Sequence, residues 1–139
     1  KDNHIDFAGG IALGSHGLVI AKGDADGYYT WTRANAYSST TPACEGHTWR
    51  LGSKAEYVNM GINGSLDGIN TNLGYAECRT LTGDYWSSTF YRTITETVFQ
   101  WESMSYVPIT TTNYWGFTNG VWYYYDQTVT IKVRPMFSF

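Results

Sequence analysis

The sequence predicts one β-rich domain, residues 1–139, carrying two short helices. Three observations point there. Aromatics make up 17% of the 139 residues, and 18 of the 24 are Tyr or Trp; 18 Thr and 15 Gly complete a polar, turn-rich composition. Such a chain favours strands and excludes both a helical bundle and disorder. Ser53-Lys54-Ala55-Glu56 forms a capping box, the signature of a helix start. Val129, Ile131, Val133, Pro135 and Phe137 alternate with Thr130, Lys132, Arg134 and Met136, the period of a strand.

Taken in order, Ile11-Ala12-Leu13 and Leu18-Val19-Ile20 are apolar runs split by Gly14-Ser15-His16-Gly17, which predicts a hairpin. Trp31, Ala34 and Tyr37 recur every three residues, one stripe of a short helix. The capped helix follows, with Ser53 as N-cap and Gly61 as its stop. Gly61 to Gly74 is rich in Gly, Asn, Ser and Asp and reads as a surface loop. Tyr85 to Phe90 is a short aromatic strand. Val98 to Glu102 alternates, with Phe99 and Trp101 on one face, and both Trp86 and Trp101 are expected in the core. The terminal run ends the fold, Pro135 suiting an edge or a strand end. Between these strands Tyr106 to Gln127 shows no helical periodicity and reads as a long irregular loop, the kind of segment that carries function.

Charge and cysteine usage narrow the function classes. Charged residues are 15% of the chain, against about 25% in an average soluble domain. Nine basic residues face 12 acidic ones, a net of −3, so no polyanion-binding surface is expected and nucleic acid is excluded as a partner. No apolar run approaches the ~20 residues of a membrane span, so no membrane insertion is expected. The first residue is Lys and no signal peptide follows, which suggests a processed or excised part of a larger exported protein or assembly. Cys44 and Cys78 are the only cysteines. In an exported chain they read as one disulfide, the alternative being two buried thiols.

Several words then occur in a family's order. They are Gly9-Gly10-Ile11, His16-Gly17-Leu18-Val19-Ile20-Ala21, Trp31 and Ala34, Trp49-Arg50-Leu51 before the capped helix, Tyr85-Trp86-Ser87-Ser88-Thr89, and Val133-Arg134-Pro135. Together, from Gly9 to Phe137, they resemble the bacterial C-type lectin-like domains related to the C-terminal domain of the Legionella collagen-like adhesin. One departure is visible: Leu51-Gly52-Ser53 stands where that family commonly has Leu-Pro-Thr. The resemblance implies an α+β, C-type lectin-like fold. Two helices would flank a twisted antiparallel sheet, with the ends brought together and a long irregular C-terminal loop region presenting the ligand. It also implies an extracellular or cell-surface location. Some members are hypervariable and diversified by retroelements, and the Asn, Tyr, Trp and Phe residues between Phe90 and Tyr125 would suit that class.

The chemical candidates reduce to one. The Glu-Pro-Asn, Gln-Pro-Asp and Trp-Asn-Asp words of calcium-dependent lectins are absent. Asp24-Ala25-Asp26-Gly27 lacks the downstream acid of a calcium loop and reads as a solvated turn, so no metal and no cofactor are expected. His4, His16 and His47 lack a nucleophile motif, and no residue is expected to be catalytic. The lectin-fold formylglycine-generating enzymes are larger, with active-site cysteines later in the chain. What remains is aromatic: Phe90, Tyr91 and Arg92, then Tyr106, Asn113, Tyr114, Trp115, Phe117, Asn119, Trp122, Tyr123, Tyr124 and Tyr125. Tyr and Trp give large contact area at low entropic cost, which is why they dominate binding surfaces. Some of these rings must be core. The segment holds more than one core can take, so the rest are expected to meet a protein or glycan ligand on another cell or surface. The alternative is a structural subunit of a surface appendage or pilus, its aromatics packed on a neighbouring chain.

Overall fold

The computed structural model describes residues 17–40, with side chains to residue 37, and residues 47–139. The architecture is mixed α+β. Its elements are β1 (Leu18–Ile20), α1 (Trp31–Thr40), α2 (Lys54–Asn59), α3 (Asp67–Tyr75), β2 (Asp84–Gln100), β3 (Ser105–Thr118), β4 (Val121–Asp126) and β5 (Met136–Ser138). Antiparallel β2, β3 and β4 form a three-stranded sheet in that order, and β1 pairs antiparallel with β5.

The described arm of the first expected hairpin pairs across the chain. Its Ile11–Leu13 arm lies outside the described residues, and Leu18–Ile20 pairs with Met136–Ser138. That choice buries Val19, Ile20, Met136 and Phe137 together, which no local turn could do. Gly17 and Phe139 exchange two backbone hydrogen bonds of 3.1 and 3.0 Å, so these two ends of the described chain meet. The terminal nine-residue strand is correspondingly shorter than its period implies. Ile131 and Lys132 make only isolated bridges, and regular pairing resumes at Met136 beyond Pro135.

The capped helix forms as its sequence dictates. The Ser53 hydroxyl accepts from Glu56 N and the Glu56 carboxylate accepts from Ser53 N, a reciprocal capping box. Arg50 grips that carboxylate with both terminal nitrogens, at 2.7 and 2.5 Å. This guanidinium, chiefly, holds the Glu56 carboxyl down at about 2. Just before the cap, a Cβ on Gly52 would lie 2.1 Å from Met136 Sδ and 2.8 Å from the Tyr57 ring. Only glycine lets β5 and α2 approach this closely.

Two expectations about regular structure are corrected. Gly61 to Gly74 is more than a loop: α3 begins at Asp67, and Ile69 and Leu73, four apart, bury on one face. Tertiary burial overrides the poor propensity of its Gly and Asn residues. The described residues therefore contain three helices. Tyr106 to Gln127 is no irregular loop either. It supplies most of β3, the Asn119-Gly120 turn with φ of +48° and +91°, and β4.

The core lies on both sides of the sheet's base. Tyr85 and Phe117 pack with Tyr57, Ile62, Ile69, Leu73 and Met136 on the α2–α3 side. Trp86 packs with Ala34, Leu51, Ile131 and Val133 on the α1 side, its Nε1 donating to the Tyr29 carbonyl at 2.7 Å. Arg134 is fully buried. It donates from Nε to Asp24 Oδ1 (2.9 Å), from Nη1 to Ala21 O, and from Nη2 to Arg79 O and Thr80 O. Asp24, expected on a solvated turn, is thus tied into the core, its other oxygen accepting from the Tyr85 hydroxyl at 3.1 Å.

Cys78 is a buried thiol rather than half of a disulfide. Its Sγ donates to the Ala76 carbonyl at 3.5 Å, and burial pushes its pKa up. The Cys44–Cys78 bond expected from an exported context is not formed in this structure; Cys44 lies outside the described residues. Trp101, expected in the core, is 77% exposed at the far end of the β2–β3 hairpin. The sheet continues toward it as two strands whose side chains are largely exposed among the described residues, so alternation alone buries nothing.

Candidate functional site

The base of the sheet divides the candidate rings between its two faces. A bulge shifts the β2–β3 register between Trp86 and Arg92, so that Phe90 opposes Tyr114 and Arg92 opposes Asn113. Phe90 and Tyr114 then meet edge-to-face at 5.8 Å, and Tyr114 lies flat on Trp31 of α1 at 3.6 Å. Tyr125 sits beside them, edge-on to Trp86 at 5.8 Å. Tyr114 and Tyr125 are therefore half-buried supports of the core.

Another group clusters around Trp115. Tyr91 meets Trp115 edge-to-face and stacks on Tyr124, both at 4.8 Å, and Tyr124 stacks on Tyr123 at the same distance. Two cations frame the cluster. Arg92 lies 4.8 Å from the centre of the Tyr124 ring and 5.4 Å from that of Tyr91, while Lys54 Nζ stands 3.7 Å over Trp115 and 5.6 Å over Trp122. All four distances lie within cation–π range. Asn113 is buried and its Oδ1 accepts from Arg92 Nε at 3.2 Å, which fixes the guanidinium over the rings. Tyr91 and Tyr123 remain 38% and 56% exposed. The surface thus offers flat rings, fixed cations and phenolic hydroxyls, a combination suited to stacking and hydrogen bonding.

Lys54 was not among the sequence candidates. Its place directly after the N-cap was the only signal, and that signal concerned helix initiation. Its backbone N donates to Thr89 Oγ1 at 2.9 Å, which clamps the start of α2 against β2 and carries the ammonium over Trp115.

The remaining candidates lie elsewhere. Phe117 is fully buried between Tyr57, Tyr85 and Trp122 and is a core residue. Trp122 is half-buried, its Nε1 donating to the Ile62 carbonyl at 2.8 Å. Asn119 is a turn residue whose Oδ1 accepts from Gly83 N at 2.8 Å. Tyr106 is 71% exposed but pairs with Phe99, seven residues along β2 from Arg92. At ~3.3 Å per residue that separation is about 23 Å, so Tyr106 joins Phe99 and Trp101 at the hairpin tip instead.

Among the described residues no three His, Cys, Asp or Glu side chains converge as metal ligands, and no helix is long and apolar enough to cross a membrane. A separate polar pocket of about 400 Å³ is lined by Gly23 to Tyr28, Arg79 and Lys132. No protein-family model matches the chain, and no curated protein matches it either.

Proposed function

We propose that this chain is a non-enzymatic, calcium-independent ligand-binding domain of the C-type lectin-like kind, acting as an adhesin or receptor at a bacterial or phage surface. The observation that carries the reading is the Tyr91–Trp115–Tyr124 cluster, framed by Arg92 and Lys54 and partly open to solvent. Rings pre-stacked on one another and on cations lose little freedom when a partner covers them, which is the cost that most limits binding. The ligand is a protein or glycan with stacking faces and hydrogen-bonding groups. Support for the fold comes from the order of the sequence words, the capped α2 and the β1–β5 closure that joins the ends.

The test is binding of the full chain to arrays of immobilised glycans and surface proteins, with and without chelator. Tyr91→Ala, Trp115→Ala and Tyr123→Ala should each weaken binding by about 1–3 kcal/mol where the ring is a hot spot, and chelator should change nothing. Loss of binding with chelator, or equal binding by all three variants, would overturn the reading. Sequencing the gene from many isolates checks the hypervariable class, for which substitutions should concentrate between Phe90 and Tyr125. The second reading, a structural subunit of a surface appendage, draws on the exposed rings at the hairpin tip, Trp101 and Tyr106.

A further inference from the structure

The β2–β3 hairpin extends past β4 with an edge that no described residue uses. As far as Ser88 the outer side of β2 is occupied: Trp86 N donates to Lys132 O, and Ser88 N donates to Gly52 O. From Thr93 to Gln100 β2 bonds only to β3, and no described residue pairs with its other edge. The sequence of that edge, Thr93-Ile94-Thr95-Glu96-Thr97-Val98-Phe99, is β-branched and nearly uncharged, and contains no Pro. Natural sheets blunt such edges unless something pairs with them. β3 does carry a guard: Pro108, opposite Thr97, has no N–H to donate and is tolerated only at an edge. β2 has none.

One antiparallel register of β2 against a second β2 is self-complementary. With Ile94 opposite Ile94 of the second copy, Thr93 falls opposite Thr95 and Arg92 opposite Glu96, each twice by symmetry. Arg92, Ile94 and Glu96 alternate onto one face, the face of Asn113, Thr111 and Ile109 in the paired strand. Arg92 commits its Nε to Asn113, while its terminal nitrogens have no protein hydrogen-bond partner among the described residues; Glu96 is exposed and has no salt bridge there. The terminal nitrogens of Arg92 and the carboxylate of Glu96 thus answer each other across a two-fold axis. The shift that places Thr95 on the axis instead opposes Arg92 to Val98 and Ile94 to Glu96, losing both ion pairs.

We propose that two copies of this chain pair antiparallel through the open edges of β2, about a two-fold axis at Ile94, doubling the three-stranded sheet. This interface shares Arg92 with the aromatic cluster but requires no ligand, and dimerisation is read independently of ligand binding. It is isologous, the commonest way for identical chains to associate, and it closes the edge instead of leaving it to propagate.

Analytical ultracentrifugation of the full chain, with and without Glu96→Arg, tests it. The unchanged chain should dimerise, and Glu96→Arg should weaken the dimer by about tenfold or more, since like charges then oppose each other. The double change Arg92→Glu with Glu96→Arg restores opposite charges and should recover most of the loss. Glu96 is exposed, so its single change leaves the fold intact; the double change also removes the Arg92–Asn113 bond, and its thermal melt is taken alongside to show that it is folded. Oxidation of Ile94→Cys should link two copies through residue 94, whereas Thr111→Cys, one strand inward, should not exceed the background of the unchanged chain. A monomer at all accessible concentrations, a dimer indifferent to Glu96→Arg, failure of the double change to recover it, or equal linking at both positions would overturn the proposal.

Discussion

The base of the β2–β3–β4 sheet and the hairpin that extends from it are built from the same residue types and have opposite environments. At the base, Trp86 is fully buried, while fifteen residues later, in the turn just past the end of the same strand, Trp101 is 77% exposed. Neither propensity nor alternation distinguishes them. The difference is what lies above and below. Helices α2 and α3 cover one side of the base and α1 the other, whereas beyond Asn113 β4 ends and the sheet is two strands wide. Burial in this molecule follows from the layers around a strand, and the strand's own sequence is a poor guide to it.

The strongest way to break this contrast is to truncate both tryptophans. Trp86→Ala should cost about 3–5 kcal/mol, as large core truncations do, and Trp101→Ala should stay within about 0.5 kcal/mol; urea unfolding of both variants measures this. Arg134→Ala should rival the first. It strands the carbonyls of Ala21, Arg79 and Thr80 and leaves Asp24 with a weaker partner, at a cost of about 3–5 kcal/mol by analogy with broken buried pairs.

A smaller effect belongs to the joint between helix and sheet. Glu56→Gln should lose about 1–2 kcal/mol, since it weakens the cap and removes the Arg50 ion pair. The same group sets an acid limit. Its carboxyl sits near 2 in the folded chain against an ordinary 4.5, so its contribution is complete above about 4.5 and fades as pH falls toward 2. Thermal melts between pH 6 and 2 should show that slope in the parent chain and a shallower one in Glu56→Gln. At the alkaline end the sign reverses. Burial pushes the Tyr85 hydroxyl up to about 12, so stability present below pH 10 should drain away between 10 and 12, less so in Tyr85→Phe. A modest effect is expected at Lys54→Met, which keeps the stem over Trp115 and removes the charge, for about 0.5–1 kcal/mol.

Local signals were the legible ones. The capping box at Ser53 names its own partners within four residues, and the stripe of Trp31, Ala34 and Tyr37 places α1. α3 stayed hidden because its propensity is poor and only Ile69 and Leu73, once covered, make it a helix. The run from Tyr106 to Gln127 looked irregular because Thr, Asn and Tyr in strands that are half-exposed or bare give no clean period. The site shows the same division. Tyr91, Arg92, Trp115, Tyr123 and Tyr124 were visible as exposed-ring candidates, but the bulge that turns Phe90 and Tyr114 toward α1 leaves no mark in composition. Arg134 gave no hint of burial, since its ligands are three backbone carbonyls and an acid 110 residues away.

The separations spanned by these contacts have a temporal meaning. Arg134 reaches Asp24 across 110 residues and receives the Tyr57 hydroxyl at its carbonyl across 77, and β5 holds both β1 and Arg50. A chain whose decisive contacts are this distant in sequence folds slowly for its size, in milliseconds to seconds. While it is being made, α2 and α3 can already pack Tyr57, Ile69 and Leu73 against Tyr85 and Phe117, but among the described residues β1 has no strand to pair with until Met136 to Ser138 arrive. The nascent domain therefore keeps Val19 and Ile20 uncovered longest, and β1 is closed over only when the segment from Arg134 to Phe139 pairs with it.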